Sequence, residues 1–271
     1  MGRAKARGPT LALSINPQLS TINMHELWCL HGAVGSATDW KPFAHAMAGE
    51  GVETRAVDLW RMLECCPMPL MEVGRMLNAE CRGLGRKSER RPVLLGYSMG
   101  GRLALHALLD ENPPWQAAVI VGAHPGLESE DERIARRASD AEWGAKALSG
   151  DWWEFLDAWN AQPVLVESGE RAAPPVFRRR EIARSFVDWS LGAQESLWEE
   201  LPGIRVPVLW VCGERDAKFR AIGERAVSLI PGAELAVVDG AGHRVPWDRP
   251  DAFARRVGEF LRQRGGSNGK G

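Results

Sequence analysis

Pro92-Val93-Leu94-Leu95-Gly96-Tyr97-Ser98-Met99-Gly100-Gly101-Arg102 is the stretch that decides the fold of this 271-residue chain. Pro92 to Leu95 is a short apolar run that reads as a buried strand, and Gly101 to Asp110 reads as a helix. Gly96-Tyr97-Ser98-Met99-Gly100 therefore fills a tight strand-to-helix turn, the setting in which G-x-S-x-G becomes a nucleophile elbow. Such a turn brings backbone segments too close for a Cβ two residues before and two after the serine, and both positions are glycine.

Working outward, two further apolar runs end in polar groups suited to the same site. Val206 to Cys212 leads into Gly213-Glu214-Arg215-Asp216, and Leu235 to Val238 leads into Asp239-Gly240-Ala241-Gly242-His243. Serine, then acid, then histidine is the chain order of an α/β-hydrolase triad and differs from that of other serine hydrolase folds. A serine hydroxyl needs an imidazole to take its proton, and the imidazole needs a carboxylate to fix its tautomer. Ser98, His243 and Asp216 fit these roles. Taken singly, His243 would pass for a loop histidine and Asp216 for a turn former. The first apolar run, Leu27 to Leu30, leads into His31-Gly32-Ala33. A turn here supplies one backbone N–H of an oxyanion hole and the residue after the serine supplies the other, which makes Ala33 and Met99 the candidates.

The remaining strands are expected at Glu53 to Val57 and Ala117 to Val121, with helical segments between them. That alternation implies a mostly parallel, twisted sheet with helices on both faces. Between Leu127 and Leu201 the pattern turns helical, charged and rich in tryptophan. We read residues 127–201 as a helical cap inserted into a core made of residues 24–126 and 202–264. A small cap must use large aromatics to pack, so most of its tryptophans are expected to be structural. Residues 1–23 and 265–271 read as loose extensions, and Met24 offers an alternative start.

With 34 basic and 35 acidic residues the formal net charge is −1, which gives no global argument for nucleic acid or a membrane as partner. No apolar stretch is long enough to span a bilayer and no secretory signal is evident. Five cysteines, odd in number and without metal-ligand spacing, read as reduced cytosolic thiols.

Several segments together resemble one family. His124-Pro125-Gly126-Leu127, Arg133-Ile134-Ala135-Arg136 with Ser139-Asp140 and Trp143, Trp159-Asn160-Ala161-Gln162-Pro163-Val164, and Cys212-Gly213-Glu214-Arg215-Asp216-Ala217-Lys218-Phe219 are similar to the 2-succinyl-6-hydroxy-2,4-cyclohexadiene-1-carboxylate synthases of menaquinone biosynthesis. The resemblance runs from about Leu27 to the end and implies a lyase on a hydrolase fold. Such enzymes remove pyruvate from 2-succinyl-5-enolpyruvyl-6-hydroxy-3-cyclohexene-1-carboxylate, with the triad acting as base and no metal or organic cofactor. It also implies substrate contacts at Tyr97, Arg102, Arg136, Trp159, Arg184 and Lys218. A small polyanionic carboxylate substrate needs several cations, and the planar fork of arginine suits carboxylates. The bland reading of Arg136 and Arg184 is a solvated helix face, and Arg178-Arg179-Arg180 leaves the register of Arg184 open.

The chain departs from the family at two places. After the second strand, where relatives have an Asp-Leu-Pro-Gly-His-Gly turn, it reads Asp58-Leu59-Trp60-Arg61-Met62-Leu63-Glu64, and Ala33 stands where an aromatic is usual. Both departures border the expected pocket, so they bear on the substrate more than on the fold or triad. Two other readings stay open: a serine carboxylester or C–C bond hydrolase, and a non-catalytic ligand sensor on the same fold.

Overall fold

The computed structural model describes residues 25–85, 90–169 and 172–265. The two terminal extensions read from the sequence thus lie outside the described residues, apart from Gly265, which closes the last helix. Among the described residues six strands form one all-parallel sheet: β1 His25–Leu30, β2 Glu53–Val57, β3 Arg91–Tyr97, β4 Ala117–Val121, β5 Val208–Gly213 and β6 Glu234–Val238. Their order across the sheet is β2-β1-β3-β4-β5-β6. The chain therefore winds outward one way from β1 to β2 and the other way from β3 onward. The switch point lies between the carboxyl ends of β1 and β3, where ligands bind in open parallel sheets.

Alternate residues of each central strand feed opposite faces. Trp28, Leu30, Leu94, Ile120 and Trp210 join one apolar cluster, while Leu27, Cys29, Val93, Leu95, Val119 and Leu209 join the other. Burial on both faces is what turns these strands into continuous apolar runs in the sequence. Helices α1 (Lys41–Gly49) and α9 (Pro250–Gly265) cover the second face. On the first lie α2 (Leu70–Gly85), α3 (Met99–Leu108) and α7 (Ala217–Leu229), while the short α8 (Val245–Asp248) precedes α9. β5 begins two residues later than the apolar run, because Pro207 has no N–H to give to the ladder.

Among the described residues between β4 and β5 lie the α-helices α4 (Glu130–Ser149), α5 (Trp152–Asn160) and α6 (Arg179–Asp188). Asp151 caps α5 by accepting from the N–H groups of Trp153 and Glu154. Edge-on ring contacts link Trp143, Phe155, Trp159 and Phe186, and this aromatic cluster runs into the core of the first face. Most tryptophans here do pack, but Trp153 is 65% exposed.

The turn after β2, Asp58 to Glu64, bonds to this helical segment. Residues Leu59–Leu63 form a 3-10 turn in which Trp60 is fully buried, between the rings of His31 and Trp189. Its indole N–H donates to Gly35 O at 2.7 Å. Arg178 bridges Asp58 and Glu64, Arg184 donates to Leu63 O, and the indole of Trp189 donates to Met68 O.

Candidate active site

Ser98 sits at φ 51° and ψ −112°, between the end of β3 and the start of α3, with its N–H bonded to Val121 O at 2.8 Å. Only a tightly determined turn holds a non-glycine residue there. The flanking glycines show what determines it: a Cβ on Gly100 would come within 2.5 Å of Leu30 O and 2.6 Å of His31 O, and one on Gly96 within 2.7 Å of Gly101 Cα. The helix begins at Met99, two residues earlier than the sequence suggests, because the elbow leads straight into it.

Asp216 and His243 follow β5 and β6 and meet Ser98 at the same sheet edge. His243 Nδ1 lies 2.6 Å from Asp216 Oδ2, and Nε2 lies 3.2 Å from Ser98 Oγ. A carboxylate only accepts, so Nδ1 carries the proton and Nε2 faces the serine hydroxyl as acceptor. Asp216 is fixed in turn as the cap of α7, its other oxygen accepting from Phe219 N–H. Asp216 and His243 are 8% and 4% exposed, and the Phe219 ring lies 4.4 Å from the imidazole. The arrangement can pass a proton from a serine hydroxyl to an oriented imidazole.

The triad opens into a cavity of about 250 Å³ between the sheet edge and the inserted helices. Ser98, His243, Ala33, Met99, Tyr97, Arg102, Arg136, Trp159 and Lys218 all line it. The Tyr97 ring packs beside Gly32, where a Cβ would meet it at 2.7 Å. Arg102, one turn along α3 from the serine, is 8% exposed and donates to Gln194 Oε1 and to Trp189 O at 2.6 Å. Burial first, and Arg136 second, push its pKa down to about 9 against the opposing pull of Asp140. It remains charged at neutral pH, a cation held without a full counter-charge. Arg136 pairs with buried Asp140 at 2.8 Å, and Asp140 also accepts from the Ser190 hydroxyl.

Arg184 is the expected contact that the structure does not bring to this cavity. Its guanidinium reaches Leu63 O at 2.6 Å and Asp188 at 3.2 Å, joining α6 to the turn after β2. The Asp58–Glu64 turn offers it the Leu63 carbonyl and its own helix offers Asp188, and these two acceptors hold the guanidinium away from the cavity.

The chain matches the alpha/beta hydrolase family over residues 29–256. It is 30% identical over 242 residues to the 2-succinyl-6-hydroxy-2,4-cyclohexadiene-1-carboxylate synthase of Salmonella newport, covering 86% of this chain and 92% of the relative. It belongs to that synthase family within the alpha/beta hydrolases. The Salmonella paratyphi B synthase is 29% identical over the same length. Among solved structures, MenH from S. aureus superposes with a TM-score of 0.77 at 21% identity, covering 93% of this chain and 96% of that one. A carboxylesterase, CesB from Bacillus subtilis, gives 0.63 at 21% identity over 88% and 83%. At such identities these two likenesses speak for the fold.

In this synthase-family chain the cavity holds residues that the sequence reading left without a role. His124 entered only as part of a motif, yet its Nδ1 accepts from Gly126 N–H at 3.0 Å, which leaves Nε2 as the protonated nitrogen. Burial, followed by the charges of Lys218, Arg102 and Arg136, pushes its pKa down to about 4, so it is a neutral donor at the cavity wall. Gln162 and Arg244 also line the cavity. The position of Arg244 beside His243 was the one available signal for it. Among the described residues no group of three or more His, Cys, Asp or Glu side chains is placed to hold a metal, and no helix is long and apolar enough to cross a membrane.

Proposed function

We propose that this chain is a carbon–oxygen lyase that eliminates pyruvate from 2-succinyl-5-enolpyruvyl-6-hydroxy-3-cyclohexene-1-carboxylate, giving 2-succinyl-6-hydroxy-2,4-cyclohexadiene-1-carboxylate in menaquinone biosynthesis. The observation that carries this reading is that Arg102, Arg136 and Lys218 share one cavity with Ser98 and His243. A pocket for neutral esters has no use for a buried, under-compensated guanidinium, whereas a polyanionic substrate supplies the missing charge. Membership of the synthase family points the same way.

In this mechanism Ser98 and His243 act as one base. The C2 proton passes to the serine–histidine pair, its C–H electrons form C2=C3, the existing C3=C4 pair moves to C4=C5, and the C5–O bond to the enolpyruvyl group breaks. The departing enolate takes a proton back to give enolpyruvate, which tautomerises to pyruvate, so protons and electrons balance without a cofactor. The backbone N–H groups of Ala33 and Met99 would stabilise charge on the substrate oxygen next to the site of deprotonation. Tyr97, Trp159 and neutral His124 shape and hydrogen-bond the ring, and residues 127–201 act as the cap that keeps water out.

The same triad would serve an esterase acting through an acyl-serine, so one assay separates the readings. Purified chain is given the enolpyruvyl precursor, and pyruvate release is followed while Ser98 is checked by mass spectrometry. Pyruvate without a serine adduct supports the lyase. No pyruvate, or an adduct formed from the precursor, refutes it.

A further inference from the structure

Arg244 follows the catalytic histidine directly, and neither the triad nor the carboxylate-binding cations give it a role. It is 3% exposed, which is costly for a guanidinium unless its donors are used. They reach across to a different part of the chain: Nη1 donates to Gly169 O at 3.0 Å and Nη2 to Asn160 Oδ1 at 2.5 Å. The backbone N–H of Arg244 donates to Ser168 Oγ at 3.1 Å. Asp248, one helical turn on, accepts from Gly169 N–H and from Gly242 N–H at 2.8 Å each. The approach is so close that a Cβ on Gly242 would come within 2.6 Å of Ser168 Oγ.

The segment gripped in this way, residues 160–169, contributes Gln162, Val164 and Leu165 to the cavity wall. Beyond Asn160, the last residue of α5, it is a run of turns closed by short backbone bonds such as Leu165 N–H to Gln162 O. A wall of turns keeps its place only if something fixes both ends to the scaffold. We infer that Arg244, with Asp248, is a clip that holds residues 160–169 against the His243 loop, making Arg244 the positioning residue that sets the shape of the substrate cavity. His243 itself is oriented from the other side, by Asp216 and Phe219. Loss of the clip should therefore disturb substrate capture and leave the proton-transfer unit in place.

The inference rests on the triad, and on the proposed lyase reaction only through the choice of substrate. The test compares Arg244→Ala, Arg244→Lys and Asn160→Ala with wild type by KM and kcat for the precursor, and by the rate at which a small aryl sulfonyl fluoride labels Ser98. Removing two charge-assisted bonds from the wall should raise KM about tenfold or more, with kcat within about threefold. Labelling by the small reagent should stay within about twofold, because it needs the triad and not the wall. Arg244→Lys, able to reach one of the two acceptors, should recover part of the KM, and the Arg244→Ala/Asn160→Ala double variant should be no worse than Arg244→Ala alone. Should Arg244→Ala fail to fold, Ser168→Ala removes one bond, leaves the two guanidinium hydrogen bonds in place and should raise KM in the same direction. A KM within twofold of wild type in the folded variants overturns the clip, as does labelling that falls in step with turnover. A wild-type chain that labels at Ser98 yet releases no pyruvate refutes the lyase reaction instead, and the KM comparison is then made on a p-nitrophenyl ester. A wild-type chain inert to both reagents overturns the clip together with the triad.

Discussion

Replacing Arg102 by methionine should separate what this residue does for the fold from what it does for the substrate. Methionine keeps most of the side-chain volume and removes the charge. On the folding side two effects oppose each other. The lowering of its pKa from the ordinary arginine value to about 9 puts the cost of holding the cation in place at about 5 kcal/mol as an upper bound. Its removal leaves Gln194 Oε1 and Trp189 O without their donor, at about 1–3 kcal/mol each. The two sides nearly cancel, so Tm should move by only a few degrees, in either direction. Catalysis has no such offset: a buried substrate carboxylate loses its charged partner, at about 2–5 kcal/mol in transition-state binding, or roughly 30-fold to 4,000-fold in kcat/KM. The assay is pyruvate release from the precursor beside hydrolysis of a small neutral p-nitrophenyl ester, with thermal denaturation of both proteins. Arg102→Met should lose the first activity and keep the second within a few fold. A variant that processes both in the wild-type ratio, or that loses Tm and both activities together, would refute the assignment of Arg102 to the substrate.

The other expectations rest on different parts of the site. Ser98→Ala and His243→Ala should each lower pyruvate release by about two to four orders of magnitude, and the double variant should be little worse than either, since both groups belong to one proton-transfer unit. Gly100→Ala should give little soluble protein, because its methyl group would press on the carbonyls of Leu30 and His31, which belong to the sheet edge and cannot retreat. Precursor KM should rise with salt while KM for a neutral ester stays flat, because steering by the cavity cations is screened. Stability should fall on acidification in a set window: burial pushes both His106 and His124 down from 6.5 to about 4. The unfolded chain then takes up these protons first, so stability drops as pH falls below about 6.5 and the loss levels off near 4, at up to about 3 kcal/mol per histidine. Urea denaturation of His106→Gln should show a shallower slope between pH 7 and 4.5, and an unchanged slope would count against that burial cost.

What the sequence made legible, and what it hid, divides along physical lines. Strands buried on both faces are continuous apolar runs, and the elbow needs glycine at fixed offsets, so β1 to β6 and the positions of Ser98, Asp216 and His243 could be read directly. Arg244 could not, because its partners lie some eighty residues away and only tertiary approach at Gly242 brings them close. Arg184 shows the limit of spacing within a charged helix: Arg178 and Arg184 both turn to the segment after β2, one to its carboxylates and the other to a carbonyl. The divergent turn itself reads as a change at the pocket border, but the structure gives it a longer reach. A Pro-Gly turn offers at most a pyrrolidine ring to the space between His31 and Trp189, whereas Trp60 fills it with an indole that lies nearly parallel to Trp189 at 6.3 Å. The carbonyl of Trp189 is what holds Arg102 over the cavity. A substitution in the turn after β2 thus reaches the principal cation through two indoles, so any difference in substrate between this chain and its relatives is to be sought along Trp60, Trp189 and Arg102 rather than in the triad.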